Sequence, residues 1–344
     1  MNLGGTLRLN KFACFTVVFI LFVIIYWRSG GGYNMEDNKN DLSNAVSLKD
    51  LLKASIYVAE LGGKKVSEGK DVKSLHVKSK GKTKEGVNDP VTDADFASHC
   101  VMYNNLKSTF PNVIVISEEH SKENECKKQE PFNLLQTPLG QEVIELMMDE
   151  YVRAEDVTLW IDPLDATKEY TEGLYKYVTT MVCVAVKSVP VIGVIHYPFT
   201  HTTYWGWFTK EKSNNILHFS YNENNKNNPR VIVSRSHAGA VTTLAKSAFG
   251  AASTISVAAG AGYKVITLVN NEQDLYLHTT AIKKWDICAG NAIINTVNGN
   301  MTMLSGKRID YSANSGVKVE GGLLASLYDH EVYLEKLKKS IGKT

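Results

Sequence analysis

From Ser47 the apolar positions Leu48, Leu51, Leu52, Ile56, Val58, Ala59 and Leu61 recur along one helix face. The spacing predicts a long first helix, ended by Gly62-Gly63. A polar loop rich in Lys and Gly follows, from Lys64 to Lys84. Phe96 to Leu106 is the next helical run, entered through Asn88-Asp89-Pro90-Val91-Thr92-Asp93-Ala94-Asp95. Val113-Ile114-Val115-Ile116 is β-branched throughout and reads as a buried strand running into Ser117-Glu118-Glu119. Lys122 to Asp156 reads as an inserted excursion with a helical piece around Val143 to Met148. Val157, Leu159, Trp160 and Ile161 predict a second buried strand, and Lys168 to Leu174 predicts a helix start. Asp162 and Asp165 then fall in the turn between the two, with Pro163 stiffening the step.

Beyond that turn, Val178 to Val186 and Val189 to Ile195 form two strands around Lys187-Ser188, and Thr203 to Phe208 alternates like a third. After the polar stretch Asn214 to Asn228, a second α/β section begins at Val231-Ile232-Val233. This strand runs into Ser234-Arg235-Ser236-His237 and a helix to about Phe249. Gly260-Ala261-Gly262-Tyr263-Lys264 opens another helix, and Lys284-Trp285-Asp286 opens a further one with Asp286 at or near its N-cap.

The N-terminus departs from this pattern. Phe12 to Trp27 is an uninterrupted apolar run of 16 residues, flanked by Arg8 and Lys11 on one side and Arg28 on the other. That is short against the ~20 residues of a spanning helix. No small-residue cleavage site closes the run, and Tyr26 and Trp27 suit a membrane interface. The expectation is a single-pass type II signal anchor, with residues 1–11 cytosolic, 12–28 in the membrane, 29–46 a flexible stem and the rest luminal. The 44 % apolar and 22 % charged composition of the whole chain is that of a globular protein, with room in 344 residues for one or two domains. A net charge of +2 gives no sign of a nucleic-acid polymer as partner, and the oligomeric state is open. Outside the apolar run, Cys100, Cys126, Cys183 and Cys288 have no metal-site spacing; buried free thiols are expected, with one or two bridges as the alternative. Asn300-Met301-Thr302 is an N-glycosylation acceptor.

The acids carry the candidate chemistry. Asp162 and Asp165 lie three residues apart, Glu118 follows a strand, Asp286 opens a helix, and Asp95 belongs to a cluster of three acids at a helix entrance. Helix capping accounts for an aspartate at each helix start taken singly. Taken together, carboxylates at element ends can meet on one face of a layered α/β fold. An all-oxygen donor set selects a hard cation such as Mg²⁺. Several carboxylates at one site suggest more than one ion, as in metal-assisted phosphoryl transfer.

The ordered motifs DPVTDAD, VISEE, WIDPLDATKEY and KKWDICAGNAI resemble the lithium-sensitive, Mg²⁺-dependent phosphomonoesterases, which include inositol monophosphatases, fructose bisphosphatases and 3′-nucleotidases. The resemblance runs from about Ser47 to the C-terminus. It implies a layered αβαβα sandwich, with an α+β metal-binding lobe at 47–200 and an α/β nucleotide-contacting lobe at 201–344. VSRSH and GAGYK narrow it to phosphatases of adenosine 3′,5′-bisphosphate (PAP), and the anchor and excursion to Golgi-resident ones that remove the PAP released by sulfotransferases. Position by position, the resemblance implies that Glu118, Asp162, the Leu164 carbonyl, Asp165 and Asp286 bind two or three Mg²⁺ ions. Asp95 and Thr167 would orient and deprotonate the attacking water, and the Ala166 and Thr167 amides would hold phosphate. Ser234, His237, Gly260 and Lys264 would contact the nucleotide. Inhibition by Li⁺ at one Mg²⁺ position is likewise implied. An inositol phosphate as substrate is the alternative, and an inactive membrane-tethered scaffold a more distant one.

One departure stands out. The family's Asp-Gly-Thr is Asp165-Ala166-Thr167 here. Alanine is strained there if the position needs φ > 0, and costs little if it has ordinary helical geometry.

Overall fold

A strand of nine residues with almost every side chain buried lies in the interior of the first sheet, and the helices of the first half pack around it. The computed structural model describes residues 44–70, 76–82, 88–120, 126, 142–217, 223–235 and 241–342. The expected cytosolic tail, apolar anchor and almost all of the stem lie outside the described residues, as does His237. Among the described residues no helix is long and apolar enough to cross a membrane.

In chain order the first half comprises β1 (Ala45–Ser47), α1 (Leu48–Glu68), β2 (Lys78–Lys82), β3 (Asn88–Val91), α2 (Asp93–Thr109) and β4 (Ile114–Ser117). Then come α3 (Glu142–Leu146), β5 (Tyr151–Arg153), β6 (Val157–Asp165), α4 (Thr167–Thr171), β7 (Thr179–Val186), β8 (Val189–Tyr197) and β9 (Thr202–Trp207). Strands pair in the order β4-β6-β7-β8-β9, with β4 parallel to β6 and the others antiparallel. Strand β4 is an edge strand and Ile114 is exposed, so this run is less buried than its β-branched composition suggests. The sheet also takes in β9, beyond the lobe division expected at 200/201.

Helix α1 begins where the Ser47 hydroxyl accepts from the Asp50 amide, and it runs past Gly62-Gly63 to Glu68. The two glycines are interior contact points rather than the helix end. A Cβ on Gly62 would stand 2.5 Å from Met102 Sδ, and one on Gly63 would stand 2.4 Å from the His196 ring. Both positions let the backbone of α1 approach its neighbours closely, and this outweighs the helix cost of glycine, about 1 kcal/mol each. Part of the loop expected at Lys64 to Lys84 is likewise ordered, as the end of α1 and as β2, which pairs with β3.

The second half comprises β10 (Arg230–Ser234), α5 (Val241–Phe249), β11 (Thr254–Ala258), α6 (Ala261–Val269), β12 (Leu275–His278), β13 (Ile282–Lys283) and α7 (Lys284–Thr296). It ends with β14 (Asn300–Met303), β15 (Lys318–Val319), β16 (Leu323–Ser326) and α8 (His330–Ile341). Its sheet has the order β11-β10-β12-β16-β14, parallel across the first three strands. Helices α1 and α2 cover the outer face of the first sheet, and α5 and α8 pack together against the second sheet. Helices α6 and α7 touch strands of both sheets, and their apolar side chains form the central core with Trp160, Met181, Tyr276 and Leu323. The layers are therefore αβαβα, as expected, each sheet face covered by a helical layer.

Two disulfides link elements that the sequence left unpaired. Cys100 on α2 bonds Cys126, and Cys183 on β7 bonds Cys288 on α7. The expectation of free thiols is corrected here. Spacing in sequence says nothing of the 5.2 Å and 5.6 Å Cα separations at which the fold sets these pairs.

Candidate active site

Strand β6 delivers two of the acids, by a device other than the expected turn. The pairing of β6 with β7 shifts between Asp162 and Asp165: Asp162 faces Met181 and Asp165 faces Thr179. One extra residue is thus accommodated around Pro163, which has no amide to donate to the ladder. Asp162 is buried, its Oδ1 accepts from the Leu164 amide at 3.1 Å, and the Pro163 carbonyl accepts from Ser98 Oγ at 2.7 Å. Glu118 follows β4, held in line where its amide donates to the Ile161 carbonyl. Asp286 sits in the first turn of α7, three residues in from Lys283, and its Oδ2 accepts from the Lys283 amide at 3.2 Å.

Carboxylate oxygens of Glu118, Asp162 and Asp286 all lie within 4.8 Å of one another. Burial, then Glu118, Asp165 and Asp286, push the Asp162 carboxyl well above the usual range. Burial, then Glu118 and Asp165, do the same to Asp286. Like charges gathered out of water are costly without a counter-charge. One is visible: Lys80 of β2 donates to Glu118 Oε1 at 2.9 Å and also to Glu119 Oε1. Burial opposes the Lys80 charge, but Glu118 and Glu119 outweigh it and raise its ammonium above the usual lysine range. Three carboxylates whose oxygens converge in this way form a hard, all-oxygen donor set that fits Mg²⁺.

Asp165 is held from the side of α6 and β7. Its Oδ2 accepts from the Gly262 amide at 2.9 Å and from Thr179 Oγ1 at 3.3 Å. Burial raises its carboxyl to about 6 against the lowering effect of Lys264. This contact brings the Gly260-Ala261-Gly262-Tyr263-Lys264 segment to the acidic site. Gly260 has φ +67, and a Cβ there would stand 2.5 Å from the Tyr177 carbonyl and 3.2 Å from Asp165 Oδ2. Lys264 is buried, donates to the Gly260 carbonyl at 2.5 Å and lies over the Tyr276 ring. Burial lowers its ammonium to about 8, against Asp165, Glu169 and Asp286. Ser234, at the end of β10, is buried with its hydroxyl 3.3 Å from His278 Nδ1.

Beside Asp162, the Thr167 hydroxyl reaches Asp95 Oδ1 at 3.0 Å and the Leu164 carbonyl at 3.1 Å. The other Asp95 oxygen accepts from the Thr92 amide and hydroxyl at 2.7 Å and 2.6 Å. Burial raises Asp95 to about 7 despite these bonds, with Glu119 and Glu118 adding to the rise. Ala166, between Asp165 and Thr167, has φ 67 and ψ 44, the left-handed region that glycine favours. The strained alternative for this alanine is the one adopted.

Three of the expected ligands therefore meet, with Asp165 and the Leu164 carbonyl bonded at their margin. The sequence pattern alone does not distinguish Lys80 or Glu119. Glu119 is buried, and its place in the Glu118-Glu119 doublet was the one available sign. Lys80 sits in a Lys-rich stretch that reads as a solvated loop.

The sequence model of the inositol monophosphatase family matches residues 47–341. The chain is 49 % identical over 303 residues to zebrafish (Danio rerio) "Inositol monophosphatase 3", covering 85 % of each chain. It is 46 % identical over 300 residues to human "Golgi-resident adenosine 3',5'-bisphosphate 3'-phosphatase", covering 85 % of this chain and 81 % of the human one. Among solved structures, the Thermotoga maritima IMPase aligns with TM-score 0.61 at 17 % identity, covering 84 % of this chain and 96 % of that one. CysQ from Bacteroides thetaiotaomicron aligns with TM-score 0.55 at 18 % identity, covering 80 % and 97 %. The match of the family model across nearly all of the folded body, joined to the sandwich and its acidic centre, makes this chain a member of the inositol monophosphatase family.

Proposed function

We propose that the protein is a Mg²⁺-dependent phosphomonoesterase that removes the 3′-phosphate of PAP, giving AMP and phosphate. The observation that carries the nucleotide reading is the bond from the Gly262 amide to Asp165, which joins the GAGYK segment to the acidic centre. A buried ammonium, Lys264, thereby stands beside the site as a counter-charge for the phosphate left on the product. Relatives named for PAP 3′-phosphatase activity, such as the human one, support the same substrate. Relatives named as inositol monophosphatase 3 match equally well, so an inositol phosphate is the substrate to test against it.

Family members are Mg²⁺-dependent. Glu118, Asp162 and Asp286 would hold the ion, with Asp165 and the Leu164 carbonyl completing the donors. Mg²⁺ supplies charge stabilisation on phosphoryl oxygens and makes bound water more acidic. The chain's own residues do the proton work. As the water oxygen bonds to phosphorus and the phosphorus–O3′ bond breaks, Thr167 Oγ1 receives a proton from the attacking water and passes its own to Asp95 Oδ1, while the departing O3′ takes a proton from solvent. Asp95 Oδ2 is held by Thr92, so the carboxylate stays turned toward Thr167. A carboxyl near 7 suits that task at neutral pH. The Ala166 and Thr167 amides orient phosphate oxygens, Ser234 and Gly260 line the nucleotide side, and His237, outside the described residues, is assigned to the nucleotide by its place in the VSRSH motif alone.

The working place we assign is the Golgi, from the names of the PAP-phosphatase relatives. The apolar run at 12–27 serves as a single-pass anchor with the catalytic body luminal, as two disulfides in the body favour an oxidising compartment. Within the body, the expected lobe 47–200 supplies Glu118 and Asp162, and 201–344 supplies Asp286 together with the nucleotide-contacting segments.

A substrate panel tests this reading. The full chain is assayed for phosphate release from PAP, inositol 1-phosphate and fructose 1,6-bisphosphate, with Mg²⁺, with EDTA and with added Li⁺. PAP is expected to be hydrolysed fastest, only with Mg²⁺, with loss in Li⁺ and in Asp162→Asn. Faster release from inositol 1-phosphate would overturn the nucleotide assignment.

A further inference from the structure

The hairpin β2–β3 is irregular at one residue. Ser79 pairs with Pro90 and Gly81 with Asp89, so Lys80 is the extra residue on its strand. Gly81 has φ +127, which glycine alone adopts readily, and its amide donates to Ser79 Oγ at 3.1 Å. A bulge of this kind re-aims a side chain. It aims Lys80 at the acidic centre, where the ammonium bonds both Glu118 and Glu119.

Glu118 is also one of the three carboxylates gathered within 4.8 Å. An ammonium 2.9 Å from the Glu118 carboxylate stands close to any divalent cation that this carboxylate holds, and the two positive centres repel each other. We propose that Lys80 is an internal competitor for the metal. Its ammonium neutralises Glu118 and Glu119 before an ion arrives, and must withdraw from Glu118 when Mg²⁺ enters. Metal binding then releases the β2–β3 hairpin from the acidic centre. The lysine keeps the metal-free site from holding uncompensated charge, at the cost of weaker Mg²⁺ affinity. This rests on the reading of the acidic cluster as a Mg²⁺ site.

The test is calorimetric titration of Mg²⁺ into the full chain, its Lys80→Met and Lys80→Arg variants, and Asp162→Asn. Hydrogen exchange of the 78–91 amides is followed with and without Mg²⁺. Lys80→Met keeps the length of the side chain and removes the charge. It is expected to bind Mg²⁺ about tenfold more tightly, equivalent to ~1.4 kcal/mol. Lys80→Arg is expected to stay near the parent. Mg²⁺ should speed hairpin exchange in the parent and leave it unchanged in Lys80→Met. Equal or weaker Mg²⁺ binding by Lys80→Met, with Asp162→Asn impaired, would overturn the competitor role while leaving the metal site standing. Parent binding that is absent, or unaffected by Asp162→Asn, would overturn both.

Discussion

Ala166 holds a left-handed conformation between Asp165 and Thr167, two residues on which the proposed chemistry depends. An L-residue there costs roughly 1–2 kcal/mol relative to the right-handed region, and glycine escapes most of it. Ala166→Gly is therefore expected to stabilise the chain by about 1 kcal/mol with activity retained. Thermal unfolding of the variant checks this, and a lower melting temperature would show that the alanine methyl packs to advantage. The substitution of alanine for the family's glycine was visible in the sequence, but its sign was not. Sequence spacing cannot fix a φ angle, and here the bulge in β6 and the start of α4 together set it.

Among elements, the strands and helices that carry the acids were legible because their apolar runs are long and their ends polar. Strands β6, β7 and β8, and the start of α7, fall close to where the pattern put them. Three misreadings share a cause, which is that partners distant in the chain decided the outcome. Gly62 and Gly63 do not end α1, because Met102 and His196 occupy the space their side chains would need. Pro163 marks a bulge inside β6 rather than a turn after it, because β7 continues to pair through Asp165. Cys183 and Cys288 are bridged, because α7 lies across the first sheet. That last bond fastens the helix bearing Asp286 to the strand beside β6. It ties one expected metal ligand covalently to the sheet that supplies the others. Of the site itself, Glu118, Asp162 and Asp286 were legible as acids at element ends. Lys80 and Glu119 were not, since their roles arise only when the hairpin folds over the strand end.

At the scale of the whole molecule, the acidic centre couples stability to pH and metal. Asp95 and Asp165 lie at about 7 and about 6 in the fold, against an ordinary value of 3.8. At these two groups the folded chain binds more protons than the unfolded chain between about pH 4 and pH 7. Their contribution to stability is full below pH 4 and is lost as pH rises through 6 to 7. Buried His99 and His196, both lowered to about 4, act in the opposite sense between pH 4 and 6.5. The difference between melting temperatures in Mg²⁺ and in EDTA at each pH removes the part of the titration that is common to both conditions. Mg²⁺ is expected to raise the melting temperature more at pH 8 than at pH 5.5, because protons compete for the same oxygens. An equal rise at both values would place Mg²⁺ elsewhere.

The most direct test of the central claim follows PAP by phosphorus NMR in the presence of the full chain and Mg²⁺. The account predicts that the 3′-phosphate resonance converts to inorganic phosphate while the 5′-phosphate resonance persists as that of AMP, with no change in Asp162→Asn. Loss of the 5′ resonance, or persistence of both while inositol 1-phosphate is consumed, would contradict it.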